Sequence, residues 1–333
     1  MMRHKNAVLF SGLALLLLFS VVLGIMTGSV PVSLSEILAV LFGRDSSSTA
    51  CVLITGIRIP RVLGGLFAGA GLAGAGVILQ GVMNNALASP NTIGVNSGAG
   101  FSVMIAMILF PGSLAAVSAF SFFGALLTTL LIFGLAYFAD RSRVTIILAG
   151  IALSSFLSAG INMMKLMDTD LTINLTSFMI GSLSGLTLQK MILPAAAIVI
   201  ASCAAFLFMN VLNILSLGDD IARSLGMRVN RDRFILLVLS SVMAGAAVSF
   251  AGMLGFVGLI VPHICRRILG NDARILFPGT LLLGASFVIL SDLLGRTVFS
   301  PFELPVGIIM SFVGGPFFLY LLMRKKGGKR ISA

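Results

Sequence analysis

The chain has 333 residues, of which 58% are hydrophobic and only 10% charged, and its 22 Lys and Arg against 11 Asp and Glu give a formal net charge of +11. A soluble domain devotes about a quarter of its residues to charged side chains, so this composition excludes a soluble enzyme, a disordered tail and a secreted disulfide scaffold. The apolar residues stand in long runs without alternation, which excludes an outer-membrane β-barrel. The sequence therefore predicts an all-α membrane protein.

Ten apolar runs predict about ten transmembrane helices, because a span needs about 20 mostly apolar residues. In chain order they are approximately residues 7–26, 62–82, 93–110, 115–138, 144–166, 190–211, 233–251, 254–268, 275–294 and 304–323. The first run is longer than the apolar part of a usual signal peptide, and we expect an uncleaved helix there. The short run at 254–268 and the brief gap before it predict an irregular junction.

Lys and Arg in the loops predict the orientation, because cytoplasmic loops of membrane proteins are enriched in both. With the N- and C-termini on the cytoplasmic side, sixteen basic residues fall inside and six outside. The outer six are Arg44, Arg58, Arg61, Lys165, Lys190 and Arg296. Most of the positive charge is thus a topology signal of a multi-pass protein in the lipid bilayer, and no nucleic acid is expected as a partner.

Two hydrophilic segments are too long for simple hairpins. The outer segment 29–60 contains an amphipathic run at 32–42, which predicts a short helix. The inner segment 212–232 indicates two short helices broken at Gly218 and Gly226, with Asp219 and Asp220 at the N-terminus of the second, where the helix dipole favours acidic side chains. Such a folded loop favours docking of a cytoplasmic partner, and a solvated connector is the alternative.

A weak internal repeat links two predicted spans. The segment Ala68-Gly69-Ala70 precedes Ala75-Gly76, and the same pattern returns 176 residues later at 244–246 and 251–252. On the predicted topology the two copies run in opposite directions, as in the inverted repeats of transport proteins. Chance is the alternative, since small residues are common wherever membrane helices pack closely.

The sequence contains no pattern that predicts catalysis, metal binding or ATP binding. No predicted span has a carboxylate at its centre, which disfavours ion-coupled transport. The three cysteines are scattered, His263 lies at a span end beside Pro262, and no GxxxxGK[ST] loop for ATP is present. We therefore predict no catalytic residue, no metal site and no cofactor, and expect the driving energy to come from a cytoplasmic ATPase.

The motifs together resemble the permease subunits of iron-siderophore and cobalamin importers among the ATP-binding-cassette (ABC) transporters, the FecCD/BtuC-like family. The resemblance rests on residues 58–61 (RIPR), 76–80 (GVILQ), 85–90 (NALASP), 94–99 (GVNSGA), 212–226, 255–266 (GFVGLIVPHICR), 292 with 296, 303–307 (ELPVG) and 315–318 (GPFF). Two departures stand out. Ala86 replaces the proline that is common in the family, and the segment around Gly181-Ser182 lacks the tryptophans often found there.

The resemblance implies one permease domain, residues 1–333, in a bacterial or archaeal cytoplasmic membrane. It further implies a homodimer, two cytoplasmic ATPase subunits and an extracytoplasmic solute-binding protein. The expected solute is a metal chelate, first a ferric siderophore, with haem and cobalamin as alternatives. An ATP-independent secondary transporter or channel is the competing function, and a membrane scaffold without solute flux is a third.

The resemblance also assigns roles to individual residues. Outward arginines would dock the binding protein: Arg58, Arg61 and Arg296. The inner loop would couple to the ATPase through Leu217, Gly218, Asp219, Ala222, Leu225 and Gly226. Two turns would flank an inner gate, through Asn85 and Leu87 in the first and Arg143 and Thr145 in the second.

Overall fold

The computed structural model describes residues 2–28, 32–41, 49–139, 142–167, 169–300 and 302–326. These ranges contain fifteen α-helices and no β-strand. A π-helical turn, Leu53–Arg58, leads directly into the fourth helix. The helices are α1 (Met2–Met26), α2 (Leu34–Leu41), α3 (Thr49–Val52), α4 (Ile59–Val82), α5 (Val95–Leu109), α6 (Leu114–Phe138), α7 (Arg143–Met167), α8 (Thr169–Ile180), α9 (Leu188–Leu207), α10 (Met209–Leu215), α11 (Asp219–Ser224), α12 (Val229–Ala251), α13 (Val257–Leu269), α14 (Ala273–Thr297) and α15 (Val306–Lys326).

The prediction of an all-α membrane protein is confirmed, and each of the ten predicted spans contains a helix. Seven helical segments within the described ranges are long and apolar enough to cross a membrane. The apolar parts of α5 and α15 are shorter, and α13 has only 13 residues. The number of ten spans therefore stays a prediction. Helix α8 was not predicted, because its first turns are too polar for a span.

Helix α4 forms the centre of the bundle, where α12 and α14 pack along it. Glycines allow these close approaches. A Cβ atom at Gly69 would collide with the carbonyl group of Gly284 in α14, and one at Gly76 would collide with Gly258 in α13. Small residues serve this purpose in membrane proteins, where dispersion contacts between close backbones drive helix association.

The same pattern of helix contacts occurs twice, because a helix of each half of the chain packs against two helices of the other half. Helix α4 packs against α13 and α14, and α12 packs in the same way against α5 and α6. The repeated glycines lie in these contacts, since Gly69 meets α14 and Gly245 meets Ala125 of α6. The end of α4 at Gly81 contacts Leu212 of α10, while Arg233 near the start of α12 binds Asp219 of α11. Helices α4 and α12 therefore run in opposite directions, as in an inverted repeat.

The bundle has two distinct ends. We call the end that carries α10 and α11 the α11 end, and the opposite one, where Arg61 binds Asp292 and Glu303, the arginine end. The C-terminus of α1 lies at the arginine end, since Arg296 binds the carbonyl of Gly24. The start of α15 lies there too, beside Leu304, which bonds to Gly295. The first helix thus begins, and the last helix ends, at the α11 end.

The irregular junction predicted just before the run 254–268 is a non-helical break that extends to the start of α13 and in which Gly252 and Phe256 both have a positive φ, +70° and +64°. Its backbone is paired with the end of α8 and with the residues that follow α8. Met253 N–H donates to Phe178 O of α8 at 3.0 Å, and Ser182 N–H donates at 2.9 Å to the carbonyl of Ala251, the last residue before the break. Such pairing is what a membrane interior demands of irregular backbone.

The segment 29–60, which was predicted to lie outside, contains α2, and this helix covers most of the amphipathic run predicted at 32–42. Ser33 and Glu36 form a capping box, in which the Ser33 hydroxyl and backbone N–H both donate to the Glu36 carboxylate at 2.6 and 2.8 Å. Ile37 is buried against Val32 and Ile54. Residues 29–31 and 42–48, including Arg44, lie outside the described residues.

Candidate functional site

A short exposed helix at the α11 end is the most distinctive surface feature. Helix α11 is set off by Gly218 and Gly226, whose φ angles of +119° and +79° suit glycine best. The break was predicted from these two glycines. Leu217, Ile221 and Leu225 are 60%, 48% and 61% exposed. The spacing of four residues places Ile221 and Leu225 in one row on the surface of α11, which we call the apolar row. Leu217 is exposed just before the break at Gly218, and Ala222 on the other face of α11 is fully buried.

Asp219 anchors α11 to two long helices. Arg143 Nη2, at the start of α7, donates to Asp219 Oδ1 at 2.6 Å and to Leu215 O at 2.9 Å. Arg233 Nη2, in α12, donates to both carboxylate oxygens at 2.7 and 2.6 Å. Arg233 is 1% exposed, so its charge depends on this partner. The apolar row is therefore presented on a helix whose first residue is fixed from two sides.

The pKa of Asp219 reflects this anchor. Partial burial acts to raise the pKa, but the hydrogen bonds and positive charges of Arg233 and Arg143 outweigh it and hold the pKa below its ordinary value. Asp219 is therefore ionised at neutral pH, as the two ion pairs require.

Helix α10 is anchored separately. The Asn213 side chain donates from Nδ2 to Asp272 Oδ1 at 2.8 Å and accepts at Oδ1 from the backbone N–H of Ala273 at 2.7 Å. Asp272 also caps α14 by accepting from the backbone N–H of Arg274. The hydrogen bonds that Asp272 accepts from the Asn213 side chain and from the Arg274 backbone lower the pKa of Asp272. The two short helices are thus connected to three spans, α10 to α14 and α11 to α7 and α12.

A second charge cluster occupies the arginine end. Arg61 Nε donates to both oxygens of Asp292 at 3.0 and 2.9 Å, and its Nη1 donates to Glu303 at 2.7 Å. Arg296 Nε lies 3.7 Å from Asp292. Arg58 donates to the carbonyls of Ile25 and Met26, and Arg296 to that of Gly24. The last carbonyls of α1, which have no partner inside the helix, are satisfied in this way.

The structure corrects one feature of the predicted docking residues Arg58, Arg61 and Arg296. They do lie together, but they are only 4%, 5% and 4% exposed. The reason is local: carboxylates and helix-end carbonyls within the chain already bind their guanidinium groups. Within this cluster, Glu303 reaches the surface, with its side chain 39% exposed. A docking role for the three arginines stays a prediction.

The predicted gate residues lie at the α11 end in two turns. Leu87 N–H donates to Asn85 Oδ1 at 2.9 Å, so the Asn85 side chain holds the turn in which Ala86 replaces the expected proline. Leu87 is 44% exposed. In the second turn, Thr145 N–H donates to the hydroxyl of Ser142 at 3.1 Å, which caps α7 beside Arg143. The gate role of these residues stays a prediction.

A cavity of about 530 Å³ separates the first turn from α10. Asn85 and Leu217 both line it, together with a buried polar link in which Arg266 Nη1 donates to Gln80 Oε1 at 2.6 Å and Gln80 Nε2 donates to Gly258 O at 3.2 Å. The link connects α4 to α13. The predicted gate turn and the predicted coupling segment thus border the same space.

Sequence reasoning missed a polar stripe on α7. Ser154, Ser158 and Asn162 follow one another at intervals of four residues and so share one face of the helix. Ser158 and Asn162 are exposed, although α7 is one of the spans. Lipid would leave such groups without hydrogen-bond partners, so they indicate that α7 faces water or another protein chain. The spacing alone was the available signal.

Among the residues with described side chains, no three His, Cys, Asp or Glu side chains come together as a metal site requires. The charged groups that the structure does bring together are arginines paired with carboxylates, at both ends of the bundle.

Comparison with known proteins places these features in a family. Residues 16–324 match the FecCD transport family. The Fe(3+)-citrate import system permease protein YfmE of Bacillus subtilis (strain 168) is 37% identical over 312 residues, which cover 93% of each chain. The hemin transport system permease protein HmuU of Yersinia pestis is 37% identical over 278 residues, covering 81% of this chain and 83% of that one.

The fold is also similar to a solved structure. That structure is an inward-facing conformation of a candidate metal-chelate type ABC transporter, and it superposes with a TM-score of 0.83 at 29% sequence identity. The match covers 96% of this chain and 99% of the other.

Proposed function

Because the chain belongs to the FecCD transport family and is a non-catalytic permease subunit of an ABC transporter, we propose that it imports a metal chelate, in the first instance a ferric siderophore. Relatives named for ferric citrate and haemin support the general class of solute. Haem and cobalamin are the alternatives that the transport assay must separate. We take residues 1–333 as one permease domain.

We propose that α11 couples the permease to a cytoplasmic ATPase. The observation that carries the proposal is the apolar row of Ile221 and Leu225, which together with the exposed Leu217 before it presents apolar surface on a polar-flanked helix. Exposed apolar patches of this kind mark protein contacts. Asp219 would transmit a displacement of α11 to α7 and α12, because it binds a residue of each. On this proposal the α11 end, with the start of α1 and the end of α15, lies in the cytoplasm of a bacterium or archaeon.

A second copy of the chain would complete the pathway, with a second ATPase beneath it. The polar stripe of α7 would then face the axis between the two copies, where a large chelate passes a polar lining. ATP binding would bring the ATPases together, move the α11 segments and change the side on which the pathway opens. In this mechanism the chain forms no bond with the solute and hydrolyses no ATP.

A solute-binding protein would dock at the arginine end. Arg58, Arg61 and Arg296 outnumber Asp292 and Glu303 by one, so the cluster has an excess positive charge. Because Glu303 is the exposed partner of Arg61, a carboxylate of the binding protein could take its place and accept the charge-assisted hydrogen bond from Arg61 Nη1. The proposal thus needs an exchange of partners, since the arginines are buried in the single chain.

Solute uptake by reconstituted proteoliposomes tests the function. The permease is combined with the ATPase and the binding protein of its operon, and uptake of ferric siderophore, ferric citrate, haemin and cobalamin is compared with and without ATP. ATP-dependent uptake of a ferric siderophore is expected. Uptake by the permease alone down an ion gradient would support a secondary transporter or channel, and no uptake of any solute by the full complex would support a scaffold.

A further inference from the structure

An apolar groove of about 580 Å³ lies at the arginine end, away from both charge clusters. Its walls are the first turns of α6 and α9, and Ser249 of α12 belongs to its floor. Helix α6 must begin at the arginine end, because α7 follows its other end and starts at Arg143, which binds α11. Helix α9 begins at the same end, since its last turn leads into α10.

The groove combines an apolar body with one cation. Its lining includes Leu114, Phe122, Phe123, Leu193 and Pro194. Phe123 and Leu193 are 64% and 79% exposed. The volume lies within the range of about 300–1,000 Å³ that is usual for sites of small organic ligands. It is thus large enough to hold part of a long hydrocarbon chain.

Lys190 provides the cation of the groove lining. It forms no hydrogen bond or ion pair with any residue that the structure describes. Lys190 stands in the first turn of α9, which contains no acidic residue. A positive charge at this position is unfavourable, because the N-terminus of a helix is already the positive end of its dipole. An anion beside Lys190 would remove this repulsion.

We propose that this groove binds an acidic phospholipid of the leaflet at the arginine end, with its headgroup on Lys190 and an acyl chain between α6 and α9. Both helices are membrane spans, so their first turns lie at the depth of the headgroups. The ligand chemistry follows from the groove, which offers hydrocarbon contact below a cation at the membrane surface. A zwitterionic lipid would add its own cation beside Lys190 and is therefore disfavoured.

A second copy of the chain is the other conceivable occupant. The polar stripe that indicates contact with water or another chain lies on α7, and α7 contributes no residue to the groove lining. The groove instead lies on a face whose exposed side chains are those of a lipid-facing surface. The lipid site does not depend on the identity of the transported solute.

Native mass spectrometry of the full-length permease tests the proposal. The purified protein is titrated with phosphatidylglycerol and, separately, with phosphatidylcholine. We expect one phosphatidylglycerol to bind more tightly than any phosphatidylcholine, and Lys190→Ala to weaken that binding about fivefold, as the loss of one cation near a membrane surface predicts. Lys165→Ala is the matched control, because it removes the other described lysine predicted on the same side, and it should bind as the unchanged protein does.

A second variant tests the groove itself. Ala119 lines it and is exposed, so Ala119→Trp fills the space without disturbing the core. This variant should lose the tight phosphatidylglycerol although Lys190 is unchanged. Equal binding of both lipids, or unchanged phosphatidylglycerol binding in Lys190→Ala, overturns the proposed headgroup preference. Retained binding in Ala119→Trp, or cross-linking of a photoreactive residue at position 119 to a second copy, overturns the site.

Discussion

Arginine-rich clusters stand at both ends of the bundle, but they connect different kinds of structure. At the arginine end, Arg61 and Arg296 share Asp292, which is 2% exposed, and the cluster joins the ends of the long helices α1, α4 and α14. At the α11 end, Arg143 and Arg233 share Asp219, whose side chain is 24% exposed, and the cluster joins one short exposed helix to two long ones.

The difference indicates two mechanical roles for the same chemistry. A buried charge cluster between long helices holds these helices in one arrangement, because separating its arginines from its carboxylate would leave buried charges without partners. A partly exposed carboxylate at the start of a six-residue helix can move with that helix and displace the arginines that it binds. The four predictions that follow separate these roles, beginning with the largest effect.

Asp292→Asn should destabilise the whole protein. The substitution leaves Arg61 and Arg296 buried beside a neutral partner, and breaking a buried ion pair on one side costs about 3–5 kcal/mol. The thermal unfolding temperature of the purified permease measures the change. Glu303→Gln is the control, since its partly exposed carboxylate should contribute about 1 kcal/mol or less. An equal fall in the unfolding temperature of both variants would contradict the role of the buried cluster in holding the long helices together.

Ile221→Glu should abolish capture of the ATPase while the permease stays folded. Ile221 belongs to the apolar row, and a hot-spot residue at the centre of a protein contact contributes at least about 2 kcal/mol, or roughly 30-fold in affinity. Co-purification of the ATPase with the tagged permease measures it. Arg223→Gln is the control on the same helix, and it should retain the ATPase. If Ile221→Glu still captures the ATPase normally, the apolar row does not belong to the ATPase interface.

Asp219→Asn should uncouple transport without removing the ATPase. The apolar row is unchanged, but the charge pairs with Arg143 and Arg233 are lost, at a local cost of about 1–3 kcal/mol. We expect ATP hydrolysis to continue while solute uptake per ATP falls. The neighbouring Asp220→Asn, whose side chain is fully exposed, should behave as the unchanged protein does. If both variants transport normally, Asp219 does not transmit motion.

The stabilisation from Asp219 should be lost only in acid. Its pKa is lower in the folded protein than in the unfolded chain, so the contribution is complete above the ordinary value of 3.8 and disappears as the pH falls through the lowered folded-state pKa. The unfolding temperatures of the unchanged protein and Asp219→Asn should differ by a constant amount between about pH 5 and 7 and converge below 3.8. If the two unfolding temperatures already converge near neutral pH, the ionised Asp219 does not stabilise the folded protein through Arg143 and Arg233.

The helices and the breaks at Gly218 and Gly226 could be predicted from sequence, because apolar runs and glycines act locally. The polar stripe of α7 was also accessible, since it needs only the spacing of Ser154, Ser158 and Asn162. Helix α8 could not be predicted in this way, because the first half of its sequence is polar. The helix packs through Leu175 against α5 and α7.

The burial of the predicted docking arginines could not be predicted either. Arg61 binds carboxylates that are 231 and 242 residues away in the chain. Counting basic residues by side gives the end of the bundle at which Arg61 lies, but only the packing of α4 against α14 determines whether its side chain points outward. The same holds for Arg233, which is one of the sixteen basic residues predicted inside: the count does not show that its side chain is buried and binds Asp219.

Site-specific photo-cross-linking in the assembled transporter tests the central claim, that α11 is the contact with the ATPase. A photoreactive residue is placed at position 221 and, as a control, at position 166, which is 88% exposed at the far end of α7. The account predicts a cross-link to the ATPase from position 221 and none from position 166. No ATPase adduct from position 221, or equal adducts from both positions, would contradict it.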